Sequence, residues 1–308
     1  MNLIHNLLQS LQTRKIIITI LCFFLVIAAV VTYFVISADS SSSGLLEREL
    51  DKLEEIVAQN PDNLDKRVEL AYLYFETGSH QQAISQLKTT LELEDSHVEA
   101  LIALGDIYMS LGRYQDALEP YTKVLELNED NPMRHVSRQL EGVYYFMGTA
   151  YFNLGRLEDA TISLKQALFI DRTDADAWYM LGTVYQHSGD YQNAIESLQQ
   201  AIRFIPDFEE AYQGLTQCYE KTGETNLALY AKAMGNYSSG ATDKAISQLE
   251  EAIMVTPDFA EAYLGLGLAY EKKGEIDMAI DAYENALLLK PELWLAQTKV
   301  EALKLRTE

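Results

Sequence analysis

Positive charge is what this chain has least of. Its 308 residues hold 24 Lys and Arg against 46 Asp and Glu, a net charge of −22. A surface of that sign repels phosphate backbones and anionic headgroups at long range, which argues against nucleic-acid binding. Cysteine is nearly absent too: Cys22 and Cys218 cannot build a disulfide framework, and no CxxC or Cys/His spacing suggests zinc. Packing alone must hold the fold. Six prolines in the whole chain exclude collagen-like or broadly disordered composition.

The charge is unevenly spread. Residues 1–37 contain no Asp or Glu and only Arg14 and Lys15 as cations, so residues 38–308 carry a balance of −24. Within that front, Ile16 to Ile36 reads IIITILCFFLVIAAVVTYFVI, 21 residues without a charge and about 32 Å long as a helix, enough to cross a bilayer. Fifteen of the 21 are Ile, Leu, Phe or Val, which makes insertion favourable by roughly 5 to 9 kcal/mol. A cleavable signal peptide is the rival reading. Its apolar core is shorter, about 7 to 15 residues, and cleavage after Ala38 would put bulky Ile36 where a small residue belongs. Cys22 as a lipoprotein site meets a similar objection, because Leu21 precedes it. The segment therefore reads as an uncleaved transmembrane helix over 16–36, with a stub over 1–15 and a Ser-rich linker, ADSSSSG, within 37–44.

Beyond the linker the chain repeats. Gly78, Gly112, Gly155, Gly189, Gly223, Gly240 and Gly274 are separated by 34, 43, 34, 34, 17 and 34 residues, and a fixed period of that size marks stacked supersecondary units. With each glycine set as position 15, position 11 is Tyr74, Tyr108, Tyr151, Tyr185, Tyr219 and Tyr270. Position 8 is small except at Thr216 (Ala71, Gly105, Gly148, Gly182, Gly267), as are position 20 (Ala83, Ala117, Ala160, Ala194, Ala245, Ala279) and most of position 27. Small residues at 8 and 20 let two helices approach closely while large ones at 4, 7, 11 and 24 fill the surrounding space. Gly at 15 ends the first helix in a left-handed turn. Pro206, Pro257 and Pro291 at position 32 stop the second.

This pattern resembles that of the tetratricopeptide repeat (TPR) family, and the fourth unit of the chain, ADAWYMLGTVYQHSGDYQNAIESLQQAIRFIPDF, matches it at every marked position. The resemblance implies an all-α, right-handed TPR α-solenoid preceded by a single N-terminal transmembrane helix. Full units are expected at 64–97, 98–131, 141–174, 175–208, 226–259 and 260–293, with a half repeat at 45–63, a truncated repeat at 209–225 and a cap helix at 294–308. Nine extra residues at 132–140 (PMRHVSRQL) are expected to lengthen the first helix of the next unit. The 17-residue spacing leaves a helix around Asn226 to Tyr237 shared between two units, with Lys232 and Asn236 where Leu and Tyr belong. A bend is expected there.

No HExxH, GxSxG or P-loop is present, and His5, His80, His97, His135 and His187 share no spacing that would assemble a site. No enzyme activity, cofactor or metal is expected. In the family, positions 2, 5, 9, 12 and 13 of the first helices line a concave groove that takes protein segments. The resemblance thus assigns Val68, Tyr72, Phe75, Ile102, Asp106, Tyr145, Thr149, Asn153, Tyr179, Thr183, Gln213 and Gln217 to a groove for apolar or basic protein or peptide segments. Arg134, His135 and Arg138 form a secondary basic candidate. The Lys and Asn ring with which one family subtype holds a terminal carboxylate is missing. The layout is similar to membrane-tethered bacterial scaffolds of envelope assembly, secretion or complex maturation; the alternative is a regulatory anchor for one enzyme or signalling partner. Arg14 and Lys15 before the span, against Arg48 and Lys52 diluted among Glu47, Glu49, Asp51, Glu54 and Glu55 beyond it, place the stub in the cytoplasm and the repeats across the membrane. Protease added to cells with a permeabilised outer barrier is therefore expected to digest the repeats, and full protection would contradict this topology.

Overall fold

A computed structural model describes residues 44–307 of the chain. The apolar run 16–36 lies outside the described residues, and no helix among those described is long and apolar enough to cross a membrane. Fifteen α-helices and one short 3-10 turn make up the described chain, and no strand occurs among these residues.

The described residues fall into two compact units, one ending at Ala103 and the other beginning at Leu104, with the division inside one helix. The first contains α1 (44–59), α2 (Leu64–Glu76), α3 (His80–Leu93) and the start of α4 (Val98–Ser110). Here α2 packs on α3, burying Leu70, Ala71 and Leu73 on the former and Ala83, Ile84 and Leu87 on the latter. The second unit continues from Leu104 through α5 (Tyr114–Leu127), α6 (Arg138–Asn153), α7 (Leu157–Ile170), α8 (Ala175–Ser188), α9 (Tyr191–Phe204) and α10 (Glu209–Thr222). It ends with α11 (Thr225–Ser238), α12 (Thr242–Val255), α13 (Ala260–Lys273), α14 (Ile276–Leu289) and α15 (Trp294–Thr307). From α5 onward each helix packs on the next.

The helix ends follow from local chemistry. All seven period-marking glycines have positive φ, from 68° at Gly112 to 87° at Gly274, the conformation that Cβ-bearing residues resist. Asn63, Ser137, Asp174 and Asp190 cap the starts of α2, α6, α8 and α9, each accepting from a backbone N–H of the first turn. Of the nine extra residues, only Arg138, Gln139 and Leu140 join α6; a 3-10 turn over Arg134–Val136 takes up the middle. The expected lengthening is thus partial. Extended Ser137, whose hydroxyl accepts from Leu140 N at 3.3 Å, starts the helix at Arg138 and no earlier.

Alternate helices also touch: α8 packs on both α6 and α10, forming an inner row, and the next such contact is between α11 and α13. The row changes from even to odd helices because α11 is used twice. Ala228, Ala231 and Met234 join the core of α9 and α10, while Ala233 joins that of α12 to α14. The half-period spacing is the trace of this shared helix. Lys232 stays exposed, and Asn236 donates to Gln248 at 2.7 Å, so neither misfit is buried unpaired.

Close approach within hairpins is tight. A Cβ at Gly105 would stand 2.4 Å from the Tyr121 ring, one at Gly267 would stand 2.5 Å from Tyr283, and one at Gly148 would stand 2.6 Å from Leu164. Gly105→Ala is expected to lower stability by about 1–3 kcal/mol through overpacking, measured by urea unfolding. Adding Tyr121→Leu, which recreates the Ala/Leu pair of positions 71 and 87, should recover much of the loss; an unchanged single variant would show that α4 and α5 separate freely.

Candidate protein-binding groove

Positions 2, 5, 9 and 12 of a helix recur at near-helical intervals and share one face. In the first unit this face carries a buried Val68 (7% exposed), an exposed Tyr72 (42%) and a half-buried Phe75, whose ring lies 5.0 Å from that of His80; Ile102 on α4 is half-buried. Val68 is therefore part of the packing and not of an accessible surface.

In the second unit the row of α6, α8 and α10 brings the remaining groove residues together. Tyr145 is half-buried, with its ring edge-on to Phe146 at 5.4 Å, and Tyr179 tilts against Phe208 at 5.1 Å. Thr149 and Thr183 each donate to the carbonyl one turn back, those of Tyr145 and Tyr179, which leaves hydroxyl lone pairs free to accept. Asn153 and Gln213 are exposed, and the Gln186 side chain donates to Gln217 at 2.6 Å, tying α8 to α10. Phe152 on α6 meets the His187 ring edge-on at 4.9 Å. The exposed His187 also contacts the Thr183 carbonyl through Nδ1 at 2.9 Å, which ties its ring to the inner face.

The electrostatics of this face are negative. Asp106 accepts from the Tyr121 hydroxyl at 2.6 Å; burial raises its pKa and that hydrogen bond partly offsets the rise. Burial, then the charges of Asp176 and Asp174, push the Tyr145 phenol up. Asp176 itself is raised by burial, by Asp174 and by Glu210. The basic candidate does not assemble opposite them. Arg134 donates to the Glu129 carbonyl at 2.7 Å and His135 sits edge-on to Phe169, both lining a cavity of about 350 Å³, whereas Arg138 lines a different one with Glu141, Asp171 and Asp174. Neighbours in sequence, the three are divided by the turn before α6.

Several further titratable side chains are engaged in the packing. Cys218 is fully buried and burial pushes its thiol up to about 11, so no thiolate forms near neutrality. Glu54 and Glu250 accept from Tyr74 and Tyr270 hydroxyls at 2.6 and 2.8 Å. The position-11 tyrosines are thus packed rings: Tyr108, Tyr219 and Tyr270 are buried, Tyr74, Tyr151 and Tyr185 half-buried. Among the described residues no cluster of His, Cys, Asp and Glu is arranged to hold a metal. Missed entirely was a cavity of about 400 Å³ between α9, α10, α11 and α13. Its signal was there, since Leu227 and Tyr230 occupy positions 2 and 5 of α11, but Lys232 and Asn236 hid that helix's groove face.

Glu141, at the start of α6, is the most perturbed carboxyl of this surface. Burial, a hydrogen bond shared with Asp174 and the charges of Asp174 and Asp171 raise its pKa to about 7 from 4.5, against the opposing pull of Arg138. One of its oxygens is buried without a partner. Because the folded state holds this proton more tightly, the group favours folding most below about pH 4.5, and its contribution is lost as pH rises through about 7. Glu141→Gln, which mimics the protonated form, is expected to melt above wild type at pH 8 and close to it at pH 4.5, followed by circular dichroism; the reverse order would contradict the shared proton.

Comparison with known proteins agrees with this geometry. A TPR repeat model matches residues 148–189 and 236–274, and tetratricopeptide repeat models match residues 68–132 and residues 175–208 and 260–293; together they cover more than half of the chain. No curated protein matches. Among solved structures, the MamA protein is 30% identical over 63% of this chain and 92% of its own, with a TM-score of 0.37. BtubC from P. vanneervenii is 17% identical over 65% of this chain and 90% of its own, with a TM-score of 0.55. The C-terminal part of a TPR repeat-containing protein from Cytophaga hutchinsonii is 16% identical over 84% and 96%, with a TM-score of 0.54. These last two likenesses show the fold. Period, hairpin packing and family matches converge: the chain belongs to the tetratricopeptide repeat family.

Proposed function

We propose that this protein is a membrane-anchored scaffold that holds apolar or basic segments of other proteins along the inner face of α6, α8 and α10. The family supports the general role of protein interaction. The observation that carries the finer reading is the composition of that face. Tyr145 and Tyr179 offer half-buried rings beside the carboxylates of Asp176 and Glu210, and tyrosine combines a large apolar contact with a polar tip at low entropic cost. An extended segment adds hydrogen bonds to the exposed side chains of Asn153, Gln213 and Gln217, whose amides pair only with the Thr149 carbonyl, Glu209 and Gln186 respectively.

Anchoring and topology rest on the sequence alone. The 16–36 run supports one membrane span, and the flanking charges support a cytoplasmic stub with repeats on the far side, as on a bacterial cell membrane. Such a tether would concentrate partners during envelope assembly, secretion or complex maturation.

The test is capture by the full chain in cells, with chemical crosslinking and identification of what co-purifies. Tyr145→Ala combined with Tyr179→Ala is expected to remove most captured proteins while helical content is kept. Asp176→Lys, an exposed charge reversal, should selectively weaken capture of basic partners. Undiminished capture by all three substitutions together would place the interface elsewhere.

A further inference from the structure

Three of the six tyrosines at position 11 carry a cation over the ring face. Arg113 lies over Tyr108 at 4.4 Å, Arg156 over Tyr151 at 4.5 Å, and Lys165 over Tyr185 at 5.5 Å. The first two cations come from position 16 of the same unit and the third from the preceding helix. At Tyr219 both sources are gone. Position 16 is Glu224, and the counterpart of Lys165, one period on, is Gln199, which donates to the Tyr219 hydroxyl at 3.0 Å. No cation of the described residues is found over this ring.

The site at Tyr219 is also bordered differently from its counterparts, because the row of helices shifts at α11. Phe259 and Glu261, from the start of α13, close the valley between α9 and α11 into a cavity of about 400 Å³. Its floor is buried, with Tyr212 at 6% and Tyr219 at 5% exposure. Its walls are the half-buried Tyr230 and Phe259, edge-on at 5.2 Å. Glu261 is the one charged residue of the lining. Lys290 reaches Glu261 Oε1 at 3.0 Å but does not itself line the space.

We propose that this cavity is a binding site for a basic side chain, arginine or lysine, presented by a partner protein, its stem against Tyr212, Tyr219 and Tyr230 and its charge directed to Glu261. Ring faces are electron-rich and attract cations most strongly where water is excluded, and a single carboxylate at the margin adds direction. The chain's own lysine fills the equivalent place one repeat earlier, where Lys165, Trp178 and Tyr185 line one valley. The cavity involves none of the residues of the α6, α8 and α10 face, so it stands or falls independently of the function proposed above.

The experiment is a methyl-labelled NMR titration of the full chain in detergent with three probes: blocked arginine amide, blocked norleucine amide and blocked glutamate amide. Saturable shifts are expected for the methyls of Ile202, Leu215 and Leu227 with arginine, binding about fivefold weaker with norleucine, and none with glutamate. Glu261→Gln should weaken arginine binding about fivefold, and Tyr230→Leu, which keeps most of the wall's volume, should weaken it by a similar factor. Leu181, in the valley that Lys165 occupies, should not respond to arginine until Lys165→Ala empties that place. Equal binding of norleucine and arginine, insensitivity to Glu261→Gln, or an unsaturable response shared by Leu181 and Leu227 in the unaltered chain would each overturn the proposal.

Discussion

The structure depends on one contact, the place where a large side chain of one helix lies directly on the backbone of another. At Gly105, Gly148, Gly182 and Gly267 a Cβ would come within 2.4 to 2.7 Å of the side chain it faces. The corresponding alanines, Ala83, Ala117, Ala160, Ala194, Ala245 and Ala279, are all fully buried. Dispersion and apolar burial both rise steeply at such separations, and without them each hairpin would leave a wet apolar face. Repetition of this contact keeps successive helices stacked. It also fixes which residues point away from the packing, so the inner face of α6, α8 and α10 is a consequence of where the small residues sit.

Helix α11 shows how far that constraint can be stretched. A helix normally spends its small residues on one hairpin, but α11 has Ala228 and Ala231 for α10 and Ala233 for α12. Serving two partners, it moves the inner row from even to odd helices and leaves an aromatic cavity on the side that α13 closes. The second unit therefore offers two chemistries: an acidic face with half-buried tyrosines, and a valley lined by aromatic rings and one carboxylate. Both suit positive or apolar protein segments, and both belong to a body whose overall charge repels polyanions.

Much of this was legible from spacing. The glycines of position 15 could be read as left-handed turns because few other residues tolerate that conformation, and every one of the seven has positive φ. The groove face was less legible. Position numbers separate inner from outer surfaces but not burial depth, so Val68 and Tyr72, equivalent on paper, differ between packed and exposed. Charge proximity misled at Arg134, His135 and Arg138, since a capped helix start at Ser137 sends the last of them into a separate carboxylate-lined cavity. Phe259 and Glu261 reach the α11 cavity from about 30 residues away, a juxtaposition that repeat register alone does not display.

The direct test of the inner row as the binding face is site-specific photocrosslinking in cells, with the photoreactive residue placed at Asn153 on α6 or at Ile162 on the outer helix α7. Both positions are exposed, so neither replacement disturbs the packing. Protein adducts at Asn153 and none at Ile162 are the predicted result; adducts at Ile162 with none at Asn153 would contradict it.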